Sequence, residues 1–290
     1  MKLLQSHAGI KLILIAAILS FLIFGCREND GEHETHPWAS FKEGAWVDVH
    51  TAHRMVMTDS TGQEQISSWE GDSRMIVKSL QDNSVTIRHT IEKNGIDEET
   101  AVIIPAMDEF PGTRALGQWP HDIFPMGRER GMITPEDKNP MPENVVMKVL
   151  NENVELTLEG KKFRSKLYSK EWDATTKKDG KRHLVLKAWV AEGIALPLKW
   201  TLTSSDGKGD TESELLKRQE IVKVDGKDIK CKVTVTRKKL SEGMITKKCW
   251  TSTSIPGFMV KMESKMEATG FSLEVNEHIT MYSTNDTNSK

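Results

Sequence analysis

The stretch that decides the fold runs Phe258-Met-Val-Lys-Met-Glu-Ser-Lys-Met-Glu267. Most of its apolar side chains occupy alternate positions, and its charged side chains occupy the positions between them. Successive side chains of a β-strand point to opposite faces, so this alternation predicts a strand with one buried face and one wet face. Strands of this kind are typical of antiparallel sheets.

The same alternation recurs in Val154-Glu-Leu-Thr-Leu-Glu159 and in residues 273–281, while residues 211–218 fit either a short turn of helix or another strand. Pairs of an acidic residue and glycine, which favour tight turns, separate these segments. They are Glu159-Gly160, Asp179-Gly180, Asp206-Gly207, Asp225-Gly226 and Glu242-Gly243. The sequence therefore predicts an all-β or mostly β fold of curved antiparallel sheets or a half-barrel, with little helix.

A proline-rich segment divides the predicted strands. Residues 105–142 hold seven of the ten prolines but also several large apolar residues, which predicts an ordered crossover, either a lid or a linker. It separates an N-terminal antiparallel β unit, residues 41–104, from a C-terminal β unit, residues 143–284. Residues 285–290 are predicted to be a disordered tail.

The C-terminal β unit contains a predicted internal duplication. Residues 154–199 and residues 220–261 each follow one order: a strand, a Gly-Lys turn, a strand, a strand ending in tryptophan, and a bend of an aliphatic residue and proline. The two tryptophans are Trp189 and Trp250. One such match would be noise, whereas the ordered series predicts two copies of one structural unit.

The duplication bears on two of the three cysteines. Its alignment places Ser165 at the position of Cys231 and Ala188 at that of Cys249, so small residues replace both cysteines together. A hairpin turning near residues 241–243 would bring the two cysteines almost opposite, within the separation that a disulfide needs. The sequence predicts a Cys231–Cys249 disulfide, with two buried thiols as the alternative.

The N-terminus reads as an export signal. Lys2 and Lys11 accompany an apolar run over residues 12–25, with no acidic residue before Glu28. This run is shorter than the roughly 20 residues that span a bilayer, but it suits the apolar region of a signal peptide. Residues 1–25 are therefore predicted to be a signal peptide. The alternative of an uncleaved transmembrane anchor fits the short run less well.

The end of the signal, Ile23-Phe-Gly-Cys26, resembles the lipobox of bacterial lipoproteins. The resemblance implies cleavage before Cys26, acylation of that cysteine and lipid anchoring of the exported protein to the bacterial cell envelope. Arg27 then favours the periplasmic face of the outer membrane, where the organism has two membranes. Residues 26–40 become the lipidated cysteine and a flexible polar tether. An ordinary secretory signal is the alternative, although the usual A-x-A cleavage pattern is missing.

Charge and motifs exclude several functions. The 40 basic and 42 acidic residues are spread along the chain, so no basic patch for nucleic acid is expected. Nucleophile-elbow, zinc-helix and phosphate-loop motifs are missing from the sequence, so we expect no enzyme, no catalytic residue and no cofactor. The pairs His33/His36 and His50/His53 invite a metal interpretation. The first lies in the predicted tether and the second in a strand, where i, i+3 spacing does not bring side chains together, so we expect no metal site.

Residues 219–267 are similar to LolA/LppX-like envelope lipoprotein carriers and related uncharacterised families, through the Gly-Lys turn, the tryptophan strand and Ile255-Pro-Gly-Phe-Met-Val-Lys261. In those carriers a curved sheet holds acyl chains against a helix, and the sequence predicts no such helix. The resemblance implies that a lipid or hydrophobic ligand binds between the concave sheet and residues 105–142. The alternatives are a structural or protein-interaction module with an exposed apolar patch or strand edge, and a hydrolase with a polar cleft. The eight tryptophans are interpreted as core, rather than as a carbohydrate or lipid surface.

Overall fold

Thirteen β-strands make up the described part of the chain. The computed structural model describes residues 38, 41–81, 84–91, 96–103, 148–176, 180–192, 194, 197–207 and 209–284. The strands are β1 (Trp46–Thr58), β2 (Glu64–Gln81), β3 (Ser84–Ile91), β4 (Ile96–Ile103), β5 (Lys148–Leu158), β6 (Lys161–Thr176), β7 (Gly180–Ala191), β8 (Lys199–Ser204), β9 (Thr211–Val224), β10 (Lys227–Lys239), β11 (Gly243–Thr251), β12 (Met259–Ala268) and β13 (Phe271–Ser283). No helix occurs within these ranges, which confirms the all-β prediction.

All thirteen strands belong to one antiparallel sheet. Its order is β4-β3-β2-β1-β13-β12-β11-β10-β9-β8-β7-β6-β5, so neighbours in the sheet are neighbours in the chain except where β1 pairs with β13. The N-terminal and C-terminal β units are joined by that pairing. β4 and β5 lie at the two edges of the sheet.

The sheet is strongly curled. β9 comes within 8 Å of β5 and of β13, measured between Cα atoms, although each is four places away in the sheet order. Four strand spacings in a flat sheet would separate them by roughly 19 Å. The predicted curved antiparallel architecture is therefore present.

Two hairpin turns have the backbone conformation that tight antiparallel hairpins require. Glu159 and Gly160 have φ values of 51° and 75°, and Asp225 and Gly226 have φ values of 49° and 73°. Positive φ at both central residues is the mark of the two-residue turn that matches strand twist. These turns connect β5 to β6 and β9 to β10, as the acidic-glycine pairs predict.

Trp38 and Phe41, which precede β1, pack on the loop between β11 and β12. Trp38 is 1% exposed and packs so closely on Gly257 that a Cβ there would lie 2.8 Å from the indole ring. Phe41 packs edge-on against Phe258, with ring centroids 6.4 Å apart. Ile255, which is fully buried, completes this cluster. The motif Ile255-Pro-Gly-Phe258 thus forms a buried loop between β11 and β12.

Several sequence predictions lie outside the described residues. They are the signal peptide, the lipidated cysteine and tether 26–40 except Trp38, the crossover 105–142 and the tail 285–290. The tether prediction is wrong at Trp38, which is 1% exposed and packed on Gly257. The division of the chain into these units stays a prediction. Within the described ranges, no helix is long and apolar enough to cross a membrane.

Candidate ligand-binding face

Strand register defines one continuous face of the sheet, which we call the inner face. Directly opposed residues on antiparallel strands lie on the same face, so each set of successive partners forms a row. The first row is Leu186, Leu202, Thr211, Lys238, Ile245, Met266, Leu273 and Met55. The second is Tyr168, Ala188, Trp200, Ser213, Thr236, Lys247, Ser264, Val275, His53 and Trp69. The third is Leu215, Thr234, Cys249, Met262, Glu277, Thr51 and Gly71.

The part of the inner face on β6, β7 and β8 is mostly apolar, although Lys170 lies on it opposite Leu186, and we call it the apolar half. Its buried side chains form one cluster against which Tyr168 packs. The members are Trp172, Leu184, Leu186, Ala188, Trp200 and Leu202. Large aliphatic and aromatic side chains on one wall are the lining that hydrophobic ligand sites favour.

The part on β10, β11, β13 and β1 carries ionisable groups, and we call it the polar half. Its members are Lys238, Lys247, Glu277 and His53. The two halves meet at β9 and β10, where the Thr236 hydroxyl donates a hydrogen bond of 2.9 Å to the Ser213 hydroxyl. The buried ionisable groups Glu277 and His53 therefore lie among apolar side chains such as Leu273 and Met262, on the other side of β9 from the apolar half.

Glu277 is the most unusual residue of the polar half. It is 1% exposed, between the buried Val275 and Ile279 of β13, and neither carboxyl oxygen has a hydrogen-bond partner. Burial raises the pKa of Glu277 to about 8, and the positive charge of Lys247 opposes that rise. At neutral pH the side chain is mostly a neutral carboxyl, with one O–H donor and one C=O acceptor unsatisfied. A buried unsatisfied polar group costs about 1–3 kcal/mol, so this residue destabilises the fold.

His53 lies next to Glu277 on the inner face. It is directly opposite Val275, two residues from Glu277, and such diagonal positions are about 7–8 Å apart. Its ring stacks on Trp69 with centroids 4.6 Å apart and an interplanar angle of 6°. Burial lowers the pKa of His53 to about 4, and Nδ1 is buried without a hydrogen-bond partner. His53 therefore adds a second neutral polar group to the patch.

Lys247 and Lys238 supply the positive charge of the polar half. Lys247 lies in the second row on β11 and acts electrostatically on Glu277 from two strands away. Lys238 lies in the first row on β10, where burial lowers its pKa. A polar group of a ligand at Glu277 would therefore lie beside a neutral histidine and within the field of a lysine.

On the opposite face, which we call the outer face, Ser169 Oγ is buried without a hydrogen-bond partner, but Trp250 is fully partnered. The indole N–H of Trp250 donates a hydrogen bond of 2.8 Å to Glu220 Oε1. The ammonium groups of Lys248 and Lys261 lie 4.4 and 4.6 Å from the centre of the same indole. A buried tryptophan that is fully partnered in this way is a structural element, in agreement with the interpretation of tryptophan as core.

The predicted opposition of Cys231 and Cys249 is wrong. Cys249 pairs with Thr234, and Cys231 shares the outer face with Val233, which pairs with Trp250. The two cysteines therefore lie on opposite faces of the sheet, and the structure holds them as two buried thiols with no disulfide between them.

Burial explains why both cysteines align with small residues. Ser165 and Ala188, the aligned residues of the first predicted copy, are each 1% exposed, and Cys231 and Cys249 are 1% and 3% exposed, so all four sites are buried. The hydroxyl of Ser165 donates a hydrogen bond of 2.8 Å to the carbonyl oxygen of Val154, which satisfies it inside the protein.

The two predicted copies have matching strand register. Trp189 pairs with Leu167 and Lys199, and Trp250 pairs with Val233 and Lys261. The first partner of each tryptophan, Leu167 or Val233, lies two residues after the aligned position 165 or 231. The common origin of the copies stays a prediction.

The histidines that invite a metal interpretation are separated by the strand. His50 Nδ1 lies 2.8 Å from Asp72 Oδ1 on the outer face, whereas His53 lies on the inner face. No group of three or more His, Cys, Asp or Glu side chains that could hold a metal ion occurs in the described ranges.

Glu277 did not stand out in the sequence-based analysis, although a signal was present. Leu273, Val275 and Ile279 occupy alternate apolar positions of β13, and Glu277 is the one interruption of that series. A charged residue at a buried position of an alternating strand is a candidate functional residue.

The comparisons with known proteins assign this chain to no family. No family model matches it, and neither does any curated protein. Solved structures that it matches include a domain described as an outer membrane lipoprotein-sorting protein from Vibrio parahaemolyticus, with 10% identity, 84% of this chain and 88% of that chain covered, and a TM-score of 0.28. An exported protein with a YmcC-like fold from Bacteroides fragilis has 9% identity, 84% and 97% coverage, and a TM-score of 0.28. A LolA superfamily protein from Nitrosomonas europaea has 9% identity, 83% and 88% coverage, and a TM-score of 0.22. Scores at this level carry no argument about function.

Proposed function

We propose that this protein is a lipid-anchored protein of the bacterial cell envelope that binds a lipid or another hydrophobic ligand on the inner face. The observation that supports the proposal is the continuity of that face. The first two rows of opposed residues connect large apolar side chains on β7 and β8 to the strands β10–β13 and β1, where Glu277 and His53 are buried. An amphiphilic ligand needs both kinds of surface side by side.

The energetics favour a ligand with a hydrocarbon chain. Each methylene group moved from water to an apolar surface contributes about 0.8 kcal/mol. A chain lying along Trp200, Leu202 and Leu186 would gain that contribution repeatedly. The buried polar groups then orient the ligand, as a few polar groups do in most hydrophobic pockets.

The test is lipid binding by a matched pair of methionine variants. Met266 on β12 lies on the inner face, and Met244 on β11 is exposed on the outer face at the same end of the sheet. We expect the purified full chain to carry lipid that native mass spectrometry detects. Met266→Lys should lower lipid occupancy about tenfold or more because a charge is costly beside an acyl chain, whereas Met244→Lys should leave it unchanged.

Two results would contradict binding on the inner face. One is a full chain that carries no lipid and takes up none from vesicles. The other is equal occupancy in both methionine variants, provided that both keep the β-sheet circular dichroism of the parent protein.

The proposed anchor has its own test at Cys26. Cys26→Ser should prevent acylation, so the protein should leave the membrane fraction and its intact mass should lack the acyl chains. Arg27→Ala is the matched control, because it leaves the acylated thiol in place and should stay in the membrane fraction. Membrane association of Cys26→Ser equal to that of the parent would contradict the anchor.

One observation favours the alternative of a protein-interaction module. β5 is an edge strand of the sheet, and its Val149 and Leu150 are about half exposed. An exposed edge with apolar side chains is a template for another strand. Val149→Lys should abolish a complex formed in this way, as measured by crosslinking in cells, and should leave lipid occupancy unchanged.

A further inference from the structure

The carboxyl group of Glu277 defines what a ligand must offer at the polar half. Both of its oxygens are buried without a hydrogen-bond partner, in the middle of an otherwise apolar series on β13. Buried polar groups in native proteins are nearly always hydrogen-bonded, so an unsatisfied group needs an explanation. A ligand that completes the hydrogen bonds of Glu277 is one such explanation, and it also accounts for the position of this group on the inner face.

The complement of a neutral carboxyl is a group with a donor and an acceptor side by side. The O–H of Glu277 needs an acceptor and its C=O needs a donor. A carboxylic acid offers both at the right spacing, an ester offers acceptors alone, and an ammonium group offers donors alone. Of these three head groups of single-chain lipids, the carboxylic acid therefore satisfies the most atoms.

We propose that the ligand of the inner face is a long-chain carboxylic acid whose carboxyl group pairs with Glu277. This inference rests on the proposed function, because it names the class of hydrophobic ligand that the inner face binds. The hydrocarbon chain extends from β13 towards Trp200 on β8, five strand spacings away. That path is roughly 24 Å on a flat sheet and shorter on a curled one. An acyl chain covers about half of the 30 Å hydrocarbon core of a bilayer, so it spans about three of these strand spacings on a flat sheet and more on a curled one.

The groups around Glu277 suit a pair of carboxyls that share one proton. A ligand that enters as the protonated acid makes both hydrogen bonds, whereas one that enters as a carboxylate accepts the Glu277 O–H and shares that single proton. Lys247 on β11 offsets the single negative charge of the pair, while His53 on β1 is neutral and Met262 on β12 is uncharged. If the pH rises until the shared proton is lost, two carboxylates repel each other. The ligand is then released, so binding weakens as the pH rises.

The experiment compares two ligands that differ at the head group. Palmitic acid and methyl palmitate share one acyl chain, but the ester has no proton to donate and cannot ionise. Each is titrated into the delipidated full chain, and binding is measured by native mass spectrometry. The variants are Glu277→Leu, which removes both hydrogen bonds, and Glu277→Gln, which keeps a donor and an acceptor side by side. Glu274→Leu is the control, because Glu274 lies on the outer face of the same strand.

We expect Glu277→Leu to weaken palmitic acid binding about tenfold or more and to weaken methyl palmitate binding less, because the ester accepts only one hydrogen bond from Glu277. Glu277→Gln should still bind palmitic acid, and its affinity should weaken much less than that of the parent as the pH rises. Glu274→Leu should change neither ligand. If the Leu variant loses both ligands, the Gln variant decides: retained palmitic acid supports the pairing, and lost palmitic acid overturns it.

Other outcomes separate this inference from the proposed function. Equal palmitic acid binding by the parent and by Glu277→Leu would overturn the pairing while the inner face remained a lipid site. Hexadecylamine, a third ligand titrated in the same way, carries an ammonium head group on the same length of chain. If it bound more tightly than palmitic acid, the pairing would be overturned as well, because the site would then prefer a cation. If the parent binds none of the three compounds, the proposed function itself fails.

Discussion

The apolar half and the polar half of the inner face are built on the same rows of the same sheet, yet their buried residues do opposite things to the fold. Leu186, Leu202 and Ala188 on β7 and β8 are each about 1% exposed and pack in one cluster. Glu277 on β13 is just as buried, but its carboxyl oxygens have no hydrogen-bond partner. Burial in the first region stabilises the fold, whereas burial in the second costs stability.

This difference shows that the inner face is not a uniform core. A core under selection for stability alone would continue the apolar series of β13 through position 277, since Val275 and Ile279 flank it on the same face. Residues that break local rules without an evident structural gain are most often found at functional sites. The comparison therefore assigns apolar packing, with the fold and with the acyl chain of a ligand, to one half and recognition of the head group to the other, and each assignment can be broken separately.

The largest effect is expected in the apolar half. Leu186→Ala removes a fully buried side chain and should lower the free energy of unfolding by about 2–5 kcal/mol, measured by urea denaturation. The neighbouring Lys187→Ala, on the exposed outer face, is the matched control and should stay within about 0.5 kcal/mol of the parent. Equal small effects at both positions would mean that β7 has no packed inner side.

The corresponding substitution in the polar half should change the free energy of unfolding in the opposite direction. Glu277→Leu removes an unsatisfied buried carboxyl and should raise the free energy of unfolding by about 1–3 kcal/mol at pH 7 in ligand-free protein. Glu274→Leu, on the outer face of the same strand, should change it by less than about 0.5 kcal/mol. Loss of stability in Glu277→Leu would contradict the account of Glu277 as an uncompensated polar group.

The pH dependence of stability separates the two neutral groups of the polar half. The pKa of Glu277 is about 8 in the folded protein, against an ordinary value of 4.5, so between these values the folded state holds one more proton. Stability therefore falls as the pH rises through that window. The pKa of His53 is lowered from 6.5 to about 4, so there the unfolded state holds the extra proton and stability rises with pH.

The effects of Glu277 and His53 on the pH dependence of stability oppose each other from about pH 4.5 to 6.5. From about pH 6.5 to 8, only Glu277 changes the free energy of unfolding. In that upper window we expect the free energy of unfolding to fall by up to about 1.4 kcal/mol per pH unit. Glu277→Gln should abolish the fall and leave the rise below pH 6.5. Urea denaturation at closely spaced pH values measures both, and an unchanged fall in the variant would contradict the assignment to Glu277.

The strands themselves were predictable because alternation is a local pattern. The alternating charges of 258–267 and the acidic-glycine turns identify β12 and the hairpins without knowledge of the rest of the chain. Residues 211–218 were ambiguous, and they form the first part of β9. Their pattern is irregular because β9 carries extra residues opposite Cys231, Val233 and Thr234. The pairing of β1 with β13 had no local signal, since it joins segments from the two ends of the described chain.

Register was less predictable than strand position, and the cysteines show why. In the β10–β11 hairpin, Lys239 pairs with Met244 across the turn, and this fixes every other pair. Opposition of Cys231 and Cys249 would need the centre of the turn to lie between one and two residues earlier in the chain. An error of that size moves each partner by three residues and changes its face. The turn residues alone do not define its centre that finely.

The smallest effect should follow the addition of a reductant. Cys249 lies in the third inner row with Glu277, whereas Cys231 lies on the other side of the sheet, so both should be recovered as thiols. Non-reducing peptide mass spectrometry after alkylation in denaturant should find each cysteine modified. Reductant should then change the free energy of unfolding by less than about 0.5 kcal/mol, since a disulfide closing this short loop would be worth roughly 3 kcal/mol. A linked 231–249 peptide, or a loss of that larger size on reduction, would show that this hairpin has a different register in solution and that Cys249 does not share the inner face with Glu277.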